Sequence, residues 1–257
     1  MNSEPGQQPR GVWAWALYDW ANSAFATSVL VAFFPVFFAR YWGESLSGQQ
    51  STFWLGIGSA IASLLVALLS PALGAAADQG GLKKRLLAVM TALGAAGTAA
   101  LCWIGPGAWG WAMTAFVVAQ VGFALGISFY DALIVHVCPP EARHRVSALG
   151  YALGYLGGGL LLVLHVVMTL HPAWFGLPDT TAAVRVAFAS VAVWWVIFSL
   201  PLFRRVQEPR PQQAVPWWSA AVAGVRELLT TLRRVRSYPQ VWTFLIAYWL
   251  YIDGVHT

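Results

Sequence analysis

Apolar residues along this chain gather in long unbroken runs rather than in the half-apolar stripes of a soluble helix. The runs cover Trp15 to Phe38, Phe53 to Ala77, Leu86 to Ile104, Trp111 to Val137, Val146 to Leu170 and Val186 to Phe203. Each approaches or exceeds the roughly 20 residues that a helix needs to cross the hydrocarbon core of a bilayer. A seventh run opens near Val241 and is still apolar at Thr257, so the chain is expected to be part of a longer architecture. The segments between runs are short and carry turn residues, such as Gly105-Pro106-Gly107 and Pro139-Pro140. No stretch alternates with period two, which argues against a β-barrel. The expected fold is an all-α membrane protein. It would comprise a six-helix bundle over residues 1–203, a cytoplasmic linker over 204–240 and the start of a seventh helix over 241–257.

Composition strengthens this picture. Hydrophobic residues make up 58% of the 257 residues and charged ones only 10%, with a mean hydropathy of +0.62. Soluble domains carry about 45–50% apolar and about 25% charged residues, so this chain has too few charges to solvate a globular surface. The net charge of +5 could point to nucleic acid, but the placement of the charges decides otherwise. Thirteen of the 15 Lys and Arg residues fall on one side of the expected bundle, from Arg10 through Lys83, Lys84, Arg85, Arg143 and Arg145 to the cluster between Arg204 and Arg236. Arg40 and Arg185 fall on the other side. This bias places the N-terminus in the cytoplasm, and the protein is expected in the cell's inner (plasma) membrane. The bias also accounts for the basic pI with the lipid bilayer as partner and without nucleic acid. Trp13, Trp15, Trp42, Trp54, Trp109 and Trp111 sit near span ends, where indole rings anchor to the interface. The N-terminus lacks a cleavage site after a short apolar core, so the first span is expected to be retained. Cys102 and Cys138 suggest neither a disulfide framework nor a metal site, and no cofactor is expected.

The linker is broken by Pro209, Pro211 and Pro216 in its first half. Its second half, Trp217 to Arg236, sets Trp218, Val222, Val225, Leu229 and Leu232 on one helical face, the pattern of a helix lying on the membrane surface. A linker helix packed on protein is the alternative. Six spans, a long basic connection and a further span form the layout of a transporter built from two halves.

Acidic residues in hydrocarbon cost at least about 2.5–3.5 kcal/mol on insertion scales, so each needs a reason. Asp19, Asp131 and Asp253 fall on spans one, four and seven and are expected to face one shared polar cavity. Asp19, Asn22, Ser23 and Ala26 recur at helical spacing as a polar and small stripe, and Tyr130 adjoins Asp131. A low dielectric disfavours the ionised carboxylate, which makes Asp19 and Asp131 candidates for proton coupling or for holding a substrate amino group. His136 and His165 could also titrate, although a lone His in a bundle more often serves packing. No zinc pattern, nucleophile elbow or phosphate loop occurs, so an enzyme is not expected.

Between spans two and three the chain reads Gly74-Ala-Ala-Ala-Asp78-Gln-Gly-Gly-Leu-Lys83-Lys84-Arg85. This closely resembles the loop signature of the major facilitator superfamily, with Gln79 and Leu82 standing where basic residues are usual. The resemblance implies a cytoplasmic latch formed by Gly74, Asp78, Lys83 and Lys84. Span five carries Gly150, Gly154, Gly157, Gly158 and Gly159, a face that permits close backbone contact. It is similar to the glycine-rich fifth helix of facilitator antiporters, with Tyr155 in the place of their proline, and is read here as a packing face.

Three further stretches narrow the resemblance: Trp15-Ala-Leu-Tyr-Asp-Trp-Ala-Asn-Ser-Ala24, Arg145-Val-Ser-Ala-Leu-Gly-Tyr-Ala-Leu-Gly-Tyr-Leu-Gly-Gly-Gly159 and Tyr248-Trp-Leu-Tyr-Ile-Asp-Gly-Val255. They look like signatures of the vacuolar-effluxer-like branch of the superfamily, which includes the fungal autophagy-related vacuolar amino-acid effluxer. The resemblance implies twelve helices and export of small solutes, amino acids foremost, by alternating access. This chain would supply the first half, with a C-terminal half as the missing partner. Asp19, Asn22, Ser23, Tyr130, Asp131 and Asp253 would line the substrate or proton-coupling cavity. A truncated, non-transporting membrane module, acting as an assembly partner or surviving as a gene remnant, is the alternative.

Overall fold

The computed structural model describes residues 9–209, 217–235 and 238–256. Helix α1 (Pro9–Ala24) continues through a π-wound stretch (Phe25–Phe33), one turn of α-helix (Phe34–Phe37) and a second π-wound stretch (Phe38–Trp42). The helices α2 (Gly48–Gly80), α3 (Lys83–Ala100), α4 (Trp109–Ala132), α5 (Arg143–Leu170) and α6 (Thr180–Arg205) follow. Beyond them lie α7 (Trp217–Val235) and α8 (Pro239–His256), and there is no strand among the described residues. The expected all-helical fold is thus observed.

Local chemistry explains where these helices start and stop. At α2 the Ser47 hydroxyl accepts from the Gln50 backbone N–H, and the Gln50 side chain accepts from the Ser47 N–H at 2.8 Å, a reciprocal cap that satisfies donors the first turn leaves open. The same helix ends at Gly81, whose φ of 60° is readily adopted only without a side chain. Asp179 caps α6 by accepting from the Ala182 N–H at 2.7 Å.

Among the described residues, five segments are long and apolar enough to cross a membrane: Gly11–Trp42, Gly48–Gly80, Trp109–His136, Pro140–Leu170 and Thr180–Arg205. The expected third span is not among them. Its helix runs over Lys83–Ala100 rather than Leu86 to Ile104, opens on three basic residues, and is built largely of Ala, Gly and Thr. Packing explains the composition. A Cβ on Gly122 of α4 would lie 2.6 Å from the Met90 carbonyl and the Gly94 nitrogen, and one on Gly97 would lie 2.7 Å from the Ala115 carbonyl. Small residues let α3 and α4 approach backbone to backbone, as membrane helices do without a hydrophobic drive between them. Gly94 in turn seats the Trp195 ring of α6.

The buried core divides along the bundle. At the basic end Trp15, Tyr18, Leu87, Leu125, Tyr130, Leu133 and Leu202 pack together. Toward the far end an aromatic cluster forms around Phe25, Phe34, Phe38, Trp42, Phe116, Phe188 and Trp195, with the Phe34 and Phe116 rings stacked at 3.8 Å. Aromatic pairs of this kind add about 0.5–1.5 kcal/mol beyond their buried area. Large apolar side chains on α2 and α5 point outward, including Leu64, Leu68, Tyr155 and Leu160, which suits lipid or a second bundle rather than water.

Candidate functional site

The polar stripe of α1 faces the glycines of α5. Ser23 Oγ donates to an Asp19 carboxylate oxygen at 3.3 Å. A Cβ on Gly154 would lie 2.7 Å from Ser23 Oγ and 3.1 Å from the Asp19 carboxyl, and one on Gly150 would meet Tyr130 Oη at 2.9 Å, the Trp15 ring at 3.0 Å and Asp19 Oδ2 at 3.5 Å. Two glycines four residues apart therefore make room for two polar residues four residues apart. Farther along, Gly157 packs on Trp20 and Gly158 on the Ser23 carbonyl, while Thr27 Oγ1 donates to the Gly158 carbonyl at 3.0 Å. Of the glycine face read as packing, Gly150, Gly154, Gly157 and Gly158 do pack, whereas a Cβ on Gly159 would meet nothing within 4 Å; Gly150 and Gly154 also shape this site.

Tyr130 enters from α4. Its ring stacks on Trp15 at 4.2 Å and on Tyr18 at 5.0 Å, and the Trp15 indole donates to the Tyr130 backbone carbonyl at 3.0 Å. Tyr18 is held in turn by a 3.0 Å hydrogen bond with the Thr91 hydroxyl of α3. The Tyr130 hydroxyl is sealed from solvent and has no hydrogen-bond partner, as is the Asn22 amide nitrogen. Buried polar atoms are seldom left unpaired, because each costs about 1–3 kcal/mol. Asp131, the next residue of α4, is exposed rather than enclosed, yet stays within electrostatic range of Asp19.

The structure thus brings Asp19, Ser23 and Tyr130 together, leaves Asp131 at their margin, and buries Asn22 with its amide nitrogen unbonded. The side chain of Asp253 lies outside the described residues. Trp15 and Tyr18, which position Tyr130, were missed as site residues. Their only sequence signal was helical spacing ahead of Asp19.

At the basic end Lys83 pairs with Asp78 at 2.8 Å. Asp78, Lys83 and Gly74 line a cavity of about 170 Å³ with Ser70 of α2 and Ser128 of α4. A Cβ on Gly74 would meet nothing within 4 Å, so close helix approach does not explain that glycine here. Lys84 points elsewhere, with its Nζ donating to the Val206 carbonyl at 2.8 Å. Glu208, which the sequence did not single out, accepts from the Lys83 and Lys84 backbone N–H groups at 2.8 and 3.0 Å. Leu82 offers α3 no side-chain cap, and the Glu208 carboxylate fills that role where the helix dipole favours negative charge.

His165 lies deep in the bundle, 1% exposed. Its Nδ1 meets Ser28 Oγ of the π-wound stretch at 3.0 Å and its Nε2 meets Ser190 Oγ of α6 at 2.7 Å. Ser190 donates its own hydrogen to the Ala187 carbonyl at 2.9 Å, so it accepts from Nε2–H and leaves Nδ1 to accept from Ser28. One imidazole ring thereby joins three helices.

Neither Cys102 nor Cys138 forms a disulfide, and no cluster of metal-ligating side chains occurs among the described residues.

A family model described as vacuole effluxer Atg22 like matches residues 49–136 and 139–257. An uncharacterized MFS-type transporter of Bacillus subtilis, YxiO, is 35% identical over 246 residues, which cover 95% of this chain and 57% of that protein. Autophagy-related protein 22 of Yarrowia lipolytica is 30% identical over 133 residues, 44% of this chain and 22% of that protein. Among solved structures, the inward-open xylose transporter XylE of E. coli superposes with a TM-score of 0.57 at 16% identity, covering 91% of this chain and 54% of that one. XylE bound to 6-bromo-6-deoxy-D-glucose gives the same TM-score at 14% identity. At these identities the likeness to XylE is one of fold. The chain spans little more than half the length of YxiO and of XylE.

Proposed function

We propose, from the premise that this chain belongs to the Atg22-like vacuole effluxer family of the major facilitator superfamily, that it forms the N-terminal half of a secondary active transporter. The transporter would move a small solute, amino acids being the class we favour, by alternating access about a site between two six-helix halves. A second half is the partner this reading requires. The basic end faces the cytoplasm, and the protein resides in the cell's inner membrane.

One observation carries the reading. The buried Tyr130 hydroxyl has no partner, and it and the Asp19 carboxylate both lie against Gly150. A carboxylate beside an unbonded hydroxyl suits a solute that bears an ammonium group and an acceptor. Asp131 and Asp253 would extend the acidic lining, and the Asp78–Lys83 pair would act as a latch at the basic end, with Gly74 and Lys84 beside it.

Proteoliposome flux with a full-length version tests this directly, using an amino-acid panel with and without a pH gradient. The Asp19→Asn variant should insert normally and lose roughly 10- to 100-fold in flux, the scale of one charge-assisted hydrogen bond. Normal flux by that variant would remove Asp19 from the mechanism, and no flux of any amino acid by the parent would remove the substrate class.

A further inference from the structure

Helix α7 is the most amphipathic of the long helices among the described residues and carries three Arg residues against one Glu. It rests on α2 through Gly224, where a Cβ would fall onto the Ala75 side chain and lie 2.9 Å from the Pro71 carbonyl. Glycine here lets the two helices meet closely. Beside the contact, Val222, Val225 and Leu229 remain 61%, 39% and 51% exposed. With Ala72 and Arg226 they line an apolar groove of about 460 Å³.

The depth of this groove follows from length. Helix α2 has 33 residues, about 50 Å at 1.5 Å per residue, whereas the hydrocarbon core is about 30 Å thick. A helix this much longer than the core tilts within it or overhangs it, and Pro71–Ala75 lies within about two turns of Asp78, the first charge after the apolar run and the start of the headgroup region. An apolar slot at that level, with one guanidinium on its lining and Arg233 and Arg234 exposed farther along the helix, matches a molecule with an acyl chain and a negative head.

We propose that the groove between α7 and α2 is a binding site for an anionic phospholipid. The acyl chain lies along Ala72, Val222, Val225 and Leu229, and the phosphate engages Arg226. Charge complementarity selects this occupant, since Arg226, Arg233 and Arg234 outnumber the single Glu of this helix and anionic lipids attract such basic segments.

The test uses the whole 257-residue chain in detergent, mixed with phosphatidylglycerol or phosphatidylcholine of identical chains, with retained lipid counted by native mass spectrometry. Retention of phosphatidylglycerol should exceed that of phosphatidylcholine on the order of tenfold and shrink as ionic strength rises. Arg226→Gln should cut the preference several-fold, and Arg226→Gln/Arg233→Gln/Arg234→Gln should abolish it while circular dichroism stays unchanged. Should the triple variant lose its helicity, the salt titration of the unaltered chain decides alone. Equal retention of the two lipids, a preference indifferent to salt, or a groove that cross-links to a second copy regardless of lipid would overturn the proposal.

Discussion

Deep in the bundle toward its far end, both nitrogens of His165 are bonded to serine hydroxyls on neighbouring helices, whereas nearer the basic end the Tyr130 hydroxyl and the Asn22 amide nitrogen are buried without a hydrogen-bond partner. Both regions sit among aromatic rings and both lie against α5, so burial and surroundings do not separate them. Satisfaction does. A closed network rigidifies the place where it sits, and an open one marks where a ligand could complete it. By this criterion His165 is a structural pin, and the neighbourhood of Asp19, with its carboxylate beside the unbonded Tyr130 hydroxyl, is the candidate site on which the proposed function rests.

Breaking the closed network should have the largest effect on stability. His165→Leu leaves the Ser28 and Ser190 hydroxyls without their ring partner and should cost about 2–4 kcal/mol, read as a lowered midpoint of thermal unfolding in detergent. A smaller loss is expected from Glu208→Gln, which keeps the size of the group that caps α3 but removes its charge. It should cost about 0.5–1 kcal/mol by the same readout and shrink with added salt. Asn22→Leu sharpens the contrast because it replaces a group whose amide nitrogen has no bond to lose. It should change stability by no more than about 0.5 kcal/mol while lowering flux in a full-length version. A destabilisation as large as that of His165→Leu would mean that Asn22 belongs to a closed network too.

Much of this architecture could be read from the chain because lipid imposes a simple rule of long apolar runs. The rule failed at α3, where Gly94, Gly97 and the facing Gly122 exchange apolar bulk for backbone proximity. Hydropathy registers bulk and is blind to proximity. The candidate site was legible only in part: the cost of charge in hydrocarbon picked out Asp19, while Asp131, picked out by the same rule, lies exposed at its margin. The roles of Trp15 and Tyr18 were not legible, since in a chain with 15 Trp and 8 Tyr no local feature tells a ring that props up a site from one that fills space. Glu208 was hidden for a different reason. It is 125 residues from the amide it caps, and only folding brings that pairing about.

The π-wound stretch Phe25–Phe33 has a consequence for how this chain can vary in length. Each i→i+5 turn takes in one residue more than an ordinary α turn. Deleting one residue there can convert a wide turn into a normal one and leave the flanking faces in phase. The same deletion between Gly150 and Gly154 of α5 would swing the remaining glycines by about 100° away from α1. The first membrane helix thus carries slack for insertions and deletions at its centre, while the fifth carries none along its contact with the first.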